Sequence, residues 1–125
     1  MPHPRLLLLL AALGGALAVA CGAFGAHALR ASLDANQLAL WQTAVSYLFW
    51  HVLAALFAAR HAQTAAARGS AVAATLFLAG SAVFSLTLFG LALGAPRWFG
   101  AITPLGGTAL IAGWLVLGWT LWRRR

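Results

Sequence analysis

Residues 6–29 read LLLLLAALGGALAVACGAFGAHAL, twenty-four positions without a charge between Arg5 and Arg30. Wound as a helix at 1.5 Å per residue, that run exceeds the about 20 residues that cross about 30 Å of hydrocarbon. Three more charge-free intervals follow: Ala35 to Ala59, Gly69 to Pro96 and Trp98 to Trp122. Each ends at an Arg or Asp, which would cost about 2.5 to 3.5 kcal/mol at the centre of a span. The pattern predicts an all-α membrane protein, a four-transmembrane-helix bundle with helices near residues 6–28, 38–59, 71–93 and 104–122. A β-barrel is disfavoured, because barrel strands alternate in polarity every second residue and these runs are continuously apolar.

Composition agrees with the intervals. The 125 residues are 63% hydrophobic and 7% charged, against about 25% charged in a soluble domain. Four spans fill most of the chain, so residues 1–125 are expected to form a single integral membrane domain. Every basic residue is Arg, and Asp34 is the one acid. With four spans, Arg5, Arg60, Arg68 and Arg123 to Arg125 fall on one side, and Arg30 and Arg97 on the other. The positive-inside rule then puts both termini in the cytoplasm, as in a multi-pass bacterial inner-membrane protein with the lipid bilayer as its first partner. The arginines cluster at span ends rather than on a basic helix face, so no nucleic-acid partner is expected.

The first span has a competing reading as a signal peptide, with Ala26-His27-Ala28 as a cleavage site and Ala18-Val19-Ala20-Cys21 as an outline of lipoprotein processing. Cleavage would leave three spans and put Arg60 and Arg68 across the membrane from Arg123 to Arg125, so the helix is expected to stay. Cys21 is the single cysteine, which excludes an internal disulfide and leaves no CxxC or Cys/His metal motif.

Helix packing in lipid depends on small residues that let backbones approach. Gly14, Ala18, Gly22 and Ala26 recur every four residues on the first helix, and Gly15, Cys21 and Gly25 widen that strip; the partner, in this chain or another, is left open. Asp34 and Gln37 have the spacing of a capping box for the second helix, and Trp41 after them marks the interface. Thr43, Tyr47 and His51 share one face of that helix. Ser81 and Ser85 answer from the third helix, with Thr87 one position off their line. Thr103 reads as the N-cap of the fourth helix and Pro104 as its first residue. Gly106 and Gly107 then leave its start bare for another backbone or, less readily, an anion. Trp114, Trp119 and Trp122 read as interfacial anchors.

Taken in order, Gly22-Ala23-Phe24-Gly25-Ala26-His27-Ala28-Leu29, Trp41-Gln42-Thr43-Ala44 with Tyr47 and His51, Gly80 with Phe84-Ser85, Ile102-Thr103-Pro104-Leu105-Gly106-Gly107 and Gly113-Trp114 resemble a small membrane family, domain of unknown function 423. The resemblance covers about Leu8 to Trp122. It implies an integral inner-membrane protein of four helices with no established reaction, ligand or cofactor. In place of the family's Phe-Ser-Gly-Ser-Leu-Tyr run, this chain has Phe84-Ser85-Leu86-Thr87-Leu88-Phe89.

Three function classes remain. A non-enzymatic protein that associates with itself or with a larger membrane complex has the direct support of the small-residue faces. A small exporter coupled to protons would need an intramembrane carboxylate, and no span contains one unless His51 carries the proton. A haem or other cofactor site would pair His27 with His51, but these lie about 3 Å and about 15 Å from the same boundary by the helical rise. No cofactor is therefore expected, and no catalytic set is present. His3 and His61 read as plain interfacial residues. The alternative to association is small-molecule or lipid binding or transport through a polar cleft in the outer half of the bundle, formed by His27, Thr43, Tyr47, His51, Ser81, Ser85 and Thr103, with His27 bonded to the first turn of the fourth helix.

Overall fold

The computed structural model describes residues 2–124 and is helical in four long segments: α1 (Pro4–His27), α2 (Ala35–Thr64), α3 (Arg68–Ala92) and α4 (Phe99–Arg123). All four are long and apolar enough to cross a membrane. Arg125 and its share of the C-terminal charge lie outside the described residues.

Local chemistry sets the boundaries. Pro4 sits in the first turn of α1, behind His3, whose Nδ1 accepts from the Arg5 amide. The capping box at α2 is complete: Gln37 N–H donates to Asp34 Oδ1 at 2.8 Å, and Asp34 N–H to Gln37 Oε1 at 2.9 Å. The α2 helix runs five residues past Ala59, the limit set by the charge-free interval. Its 30 residues are about 45 Å long, more than the hydrocarbon needs, so Arg60 rides on helix rather than ending it. Gly94, with φ +94°, stops α3, and the Ala95 amide turns back to the Gly90 carbonyl at 2.8 Å.

The start of α4 corrects the sequence reading. Three tight turns, with the amides of Phe99, Gly100 and Ala101 bonded to the carbonyls of Pro96, Arg97 and Trp98, begin the helix at Phe99. Pro104 therefore lies inside it. That is tolerable so near the helix start, because proline removes one bond there, the one to the exposed Gly100 carbonyl. The Thr103 hydroxyl bonds back to the Phe99 carbonyl at 3.0 Å instead of capping anything ahead.

Sequential helices pack antiparallel. α2 and α3 form the central pair, α1 lies against α2 with a lighter touch on α3, and α4 lies against α3; α1 and α4 share no packed interface. Alanine dominates the centre, where Ala54, Ala55, Ala58 and Ala59 meet Ala73, Ala74 and Phe77. The partner of α1 is thus α2 of the same chain. A Cβ on Gly14 would meet Val52 at 2.6 Å, one on Gly22 would meet Val45 at 3.4 Å, and one on Gly25 would meet the Trp41 ring at 2.5 Å.

The packed row is Leu7, Ala11, Ala18 and Gly25, with Gly14 and Gly22 half-buried and Ala26 exposed. A strict four-residue row advances about 40° per step on a helix of 3.6 residues per turn, so by Ala26 it has rotated off the interface and Gly25 takes that place. Trp41 is also displaced from its expected role. It is buried, and its indole N–H donates to the Cys21 carbonyl at 2.8 Å.

At the α3·α4 crossing the backbones themselves meet. A Cβ on Gly106 would collide with the Phe84 amide nitrogen and lie 2.8 Å from the Gly80 carbonyl oxygen. The close approach expected at Gly106 is real, but it falls inside the helix rather than at its N-terminus.

Candidate functional site: an aromatic groove between α2 and α4

His51 is the seventeenth of the thirty residues of α2, about 20 Å from one end of the helix and about 24 Å from the other. It is buried in the middle of the membrane-spanning region. Both ring nitrogens are used. Nδ1 lies 2.7 Å from the Tyr47 carbonyl, which can only accept, so Nδ1 carries the proton. Nε2 lies 3.1 Å from Trp114 Nε1, and an indole N–H can only donate. The two bonds therefore fix one tautomer of a neutral imidazole.

Aromatic rings pack around this pair. Tyr47 stacks on His51 with centroids 5.7 Å apart and meets Phe84 at 4.6 Å and Trp50 at 5.3 Å. Phe77 is edge-on to Trp114 at 4.9 Å. Together α2 and α4 enclose a groove of about 530 Å³ over α3, with Tyr47, Trp50, His51, Phe84, Gly107 and Trp114 in its walls. Trp50 and Trp114 are half-exposed toward lipid. Tyr47 lines this groove, and among the described residues its hydroxyl makes no hydrogen bond.

The structure brings Tyr47 and His51 together and separates the other residues expected in one cleft. Ser81 and Ser85 line a second groove on the opposite flank, between α1 and α3. Ser85 donates to the Ala44 carbonyl at 2.8 Å, and Ser81 Oγ is buried without a partner. Thr103 meets Thr87 at 2.7 Å across the α3·α4 interface. Thr43 is exposed and does not line the groove. His27 is exposed at the end of α1, and among the described residues no bond joins it to α4, because α1 and α4 lie on opposite flanks of the central pair.

Two further readings change. His61 bonds Ser70 Oγ at 2.8 Å and so ties α2 to α3. Trp114 sits three residues past the midpoint of α4 and anchors to His51 instead of to an interface. The Trp114–His51 pair had no signal in the spacing of either helix. Tyr47, His51, Phe84, Gly107 and Trp114 are, however, all among the motif pieces quoted from the sequence, and these pieces converge on one groove.

The family described as protein of unknown function (DUF423) matches residues 21–107. That stretch reaches from the Trp41 bond at Cys21 to Gly107 in the groove. The chain belongs to the DUF423 family. A UPF0382 membrane protein of Staphylococcus saprophyticus is 40% identical over 113 residues, covering 90% of this chain and 93% of the relative. A UPF0382 membrane protein of Schizosaccharomyces pombe is 35% identical over 113 residues, covering 86% and 93%. The UPF0382 inner membrane protein YgdD of Escherichia coli is 34% identical over 113 residues, covering 90% and 86%. No solved structure matches the chain. In DUF423 terms this is a membrane protein of unknown function with four transmembrane helices.

Proposed function

We propose that this DUF423 protein is a non-enzymatic membrane binding protein that takes an apolar molecule with a single carbonyl or hydroxyl group from the lipid phase into the α2–α4 groove. The observation that carries the reading is Tyr47, whose hydroxyl makes no hydrogen bond among the described residues, in the wall of an aromatic groove of about 530 Å³ near the middle of α2. A phenol in hydrocarbon gains from any polar atom brought to it, and the ring faces around it favour a flat or extended apolar body. The reading is non-enzymatic because His51 has both nitrogens engaged and so offers no free base. The arginine bias supports a cytoplasmic side for both termini, and a cytoplasm-active reporter fused after Arg125 would check it.

Association with a second copy or a larger membrane complex is the second reading. Gly14, Ala18 and Gly25 are engaged by α2, so it rests on the other face of α1, where Ala12, Ala16, Ala20 and Ala23 are all exposed. One purification in mild detergent tests both readings. Mass spectrometry of the extract should find a lipid-soluble molecule with the wild type and less of it with Gly107→Leu. At Gly107 a Cβ has ordinary contact room, 3.7 Å from Phe84, so the longer side chain fills the groove rather than the helix crossing. Equal recovery from both proteins would overturn the binding reading. A monomeric mass in the same sample would overturn self-association.

A further inference from the structure

At the end of the molecule that carries both termini, the start of α3 and the last turns of α4 frame a second concavity, of about 350 Å³, lined by Arg68, Gly69, Trp119, Thr120, Arg123 and Arg124. Three arginines line one space, and among the described residues no acidic side chain lies there to offset them. The chain's one acid, Asp34, lies at the other end of α2 in the capping box. Arg124 is held in place by the carbonyls of Ala65 and Ala66. Arg123 lies over the Trp119 ring, 5.8 Å from its centroid. Arg68 opens α3 without a hydrogen-bond partner among the described residues, and no side chain caps the amides of that first turn. Planar guanidinium groups match phosphate oxygens in pairs, and uncapped amides at a helix start add to the same attraction.

A second surface says what kind of phosphate fits. Trp119 is shared with a trough of about 420 Å³ along α4, lined by Trp114, Leu115, Gly118 and Trp122. Leu115 and Trp119 are strongly exposed there, and a Cβ on Gly118 would meet nothing within 4 Å. The concavity and the trough join a cationic cradle at headgroup level to an apolar track running toward the hydrocarbon. A free phosphate ion would use the first alone; a phospholipid uses both. We infer that this end of the protein binds the phosphate of an anionic phospholipid through Arg68, Arg123 and Arg124, with one acyl chain along the Gly118 trough. The cationic cradle shares no residue with the α2–α4 groove, and the trough meets that groove only at Trp114, so the inference stands whether or not the groove holds a ligand.

The test is native mass spectrometry of the full chain in mild detergent, titrated with phosphatidylglycerol or with phosphatidylcholine of the same acyl chains. Each guanidinium near an anionic headgroup is worth about a five- to sixfold change in affinity. Phosphatidylglycerol should therefore bind at least about tenfold more tightly than phosphatidylcholine, and Arg68→Gln with Arg123→Gln should weaken it about 30-fold. If the double variant fails to fold, Arg68→Gln alone, at an exposed and unbonded residue, should still give about a fivefold loss. Arg5→Gln, on the same end but on neither surface, should leave binding within about twofold. Gly118→Phe, which fills the trough and removes no charge, should weaken phosphatidylglycerol as well.

Equal binding of the two lipids overturns the inference. So does a loss in Arg5→Gln as large as that in Arg68→Gln, which would mark diffuse attraction. Displacement of phosphatidylglycerol by inorganic phosphate alone, with Gly118→Phe unaffected, would assign the cradle to a free anion and overturn the lipid.

Discussion

The central α2·α3 pair carries a groove on each flank, and the two differ in how their polar atoms are used. On the α4 side, His51, Trp114, Thr87 and Thr103 bond across helices, and the helix backbones touch at Gly80 and Gly106. On the α1 side the groove, of about 370 Å³, is walled by Leu10, Leu17, Leu48 and Val52, and buried Ser81 Oγ has no partner. The first flank is held by several directional bonds, and those at His51 fix a tautomer. The second has one cross-helix bond, from Trp41 to the Cys21 carbonyl near its end, and is otherwise held by apolar contact on small residues around an unpaired hydroxyl. In lipid, where no hydrophobic force separates inside from outside, such pairing is what gives one helix contact a defined geometry and leaves another adjustable.

The hardest test of that contrast is steric. Gly106→Leu must push the α3 and α4 backbones apart and should lower stability by about 3 kcal/mol, the upper end of overpacking. Gly22→Leu on the opposite flank meets only the tip of Val45, at 3.4 Å, and should lower it by about 1 kcal/mol. Thermal unfolding in mild detergent reads both, and equal losses would erase the distinction between a rigid and a yielding flank.

A smaller effect is expected at the mid-membrane pair. His51→Leu leaves the Trp114 indole N–H without its acceptor and should cost about 1 to 3 kcal/mol. Adding Trp114→Phe should recover part of that, with a coupling of about 1 kcal/mol in a double-mutant cycle. Strictly additive losses would mean that the bond contributes nothing to holding α4 against α2.

The smallest effects carry opposite signs. Ser85→Ala removes the bond to the Ala44 carbonyl and should destabilise by about 0.6 kcal/mol. Ser81→Ala removes an unpaired buried hydroxyl and should be neutral or slightly stabilising. A clear loss at Ser81, measured in the same unfolding assay, would show that its hydroxyl has a partner and that the α1 flank is as specific as the other.

Much of this molecule is legible in its charges. The arginines and Asp34 bound four helices, and Asp34 with Gln37 announces a complete capping box. Facing directions were not legible, for a physical reason. A span apolar on every side has no amphipathic face to point at the core, so Tyr47 and His51 can be placed on one stripe without revealing that it turns toward Trp114 rather than toward Ser81. The gap between Gly25 and Ala26 is of the same kind: a row counted in fours looks continuous on paper and leaves the interface on a real helix. Thr103-Pro104 misled because its residue types do start helices, whereas here the turns at residues 96–101 had already started one.

Every extensive interface joins helices that are neighbours in the chain, and that has a consequence for biogenesis. Contacts between neighbours close short loops, so each hairpin can form soon after its second helix enters the bilayer. The Trp114–His51 bond is different, because it spans 63 residues and waits for the last helix. A chain stalled after α3 would already hold its α1·α2 and α2·α3 contacts, yet His51 would have no indole partner. The aromatic groove is thus a late product of assembly, and its completion marks the arrival of the fourth span.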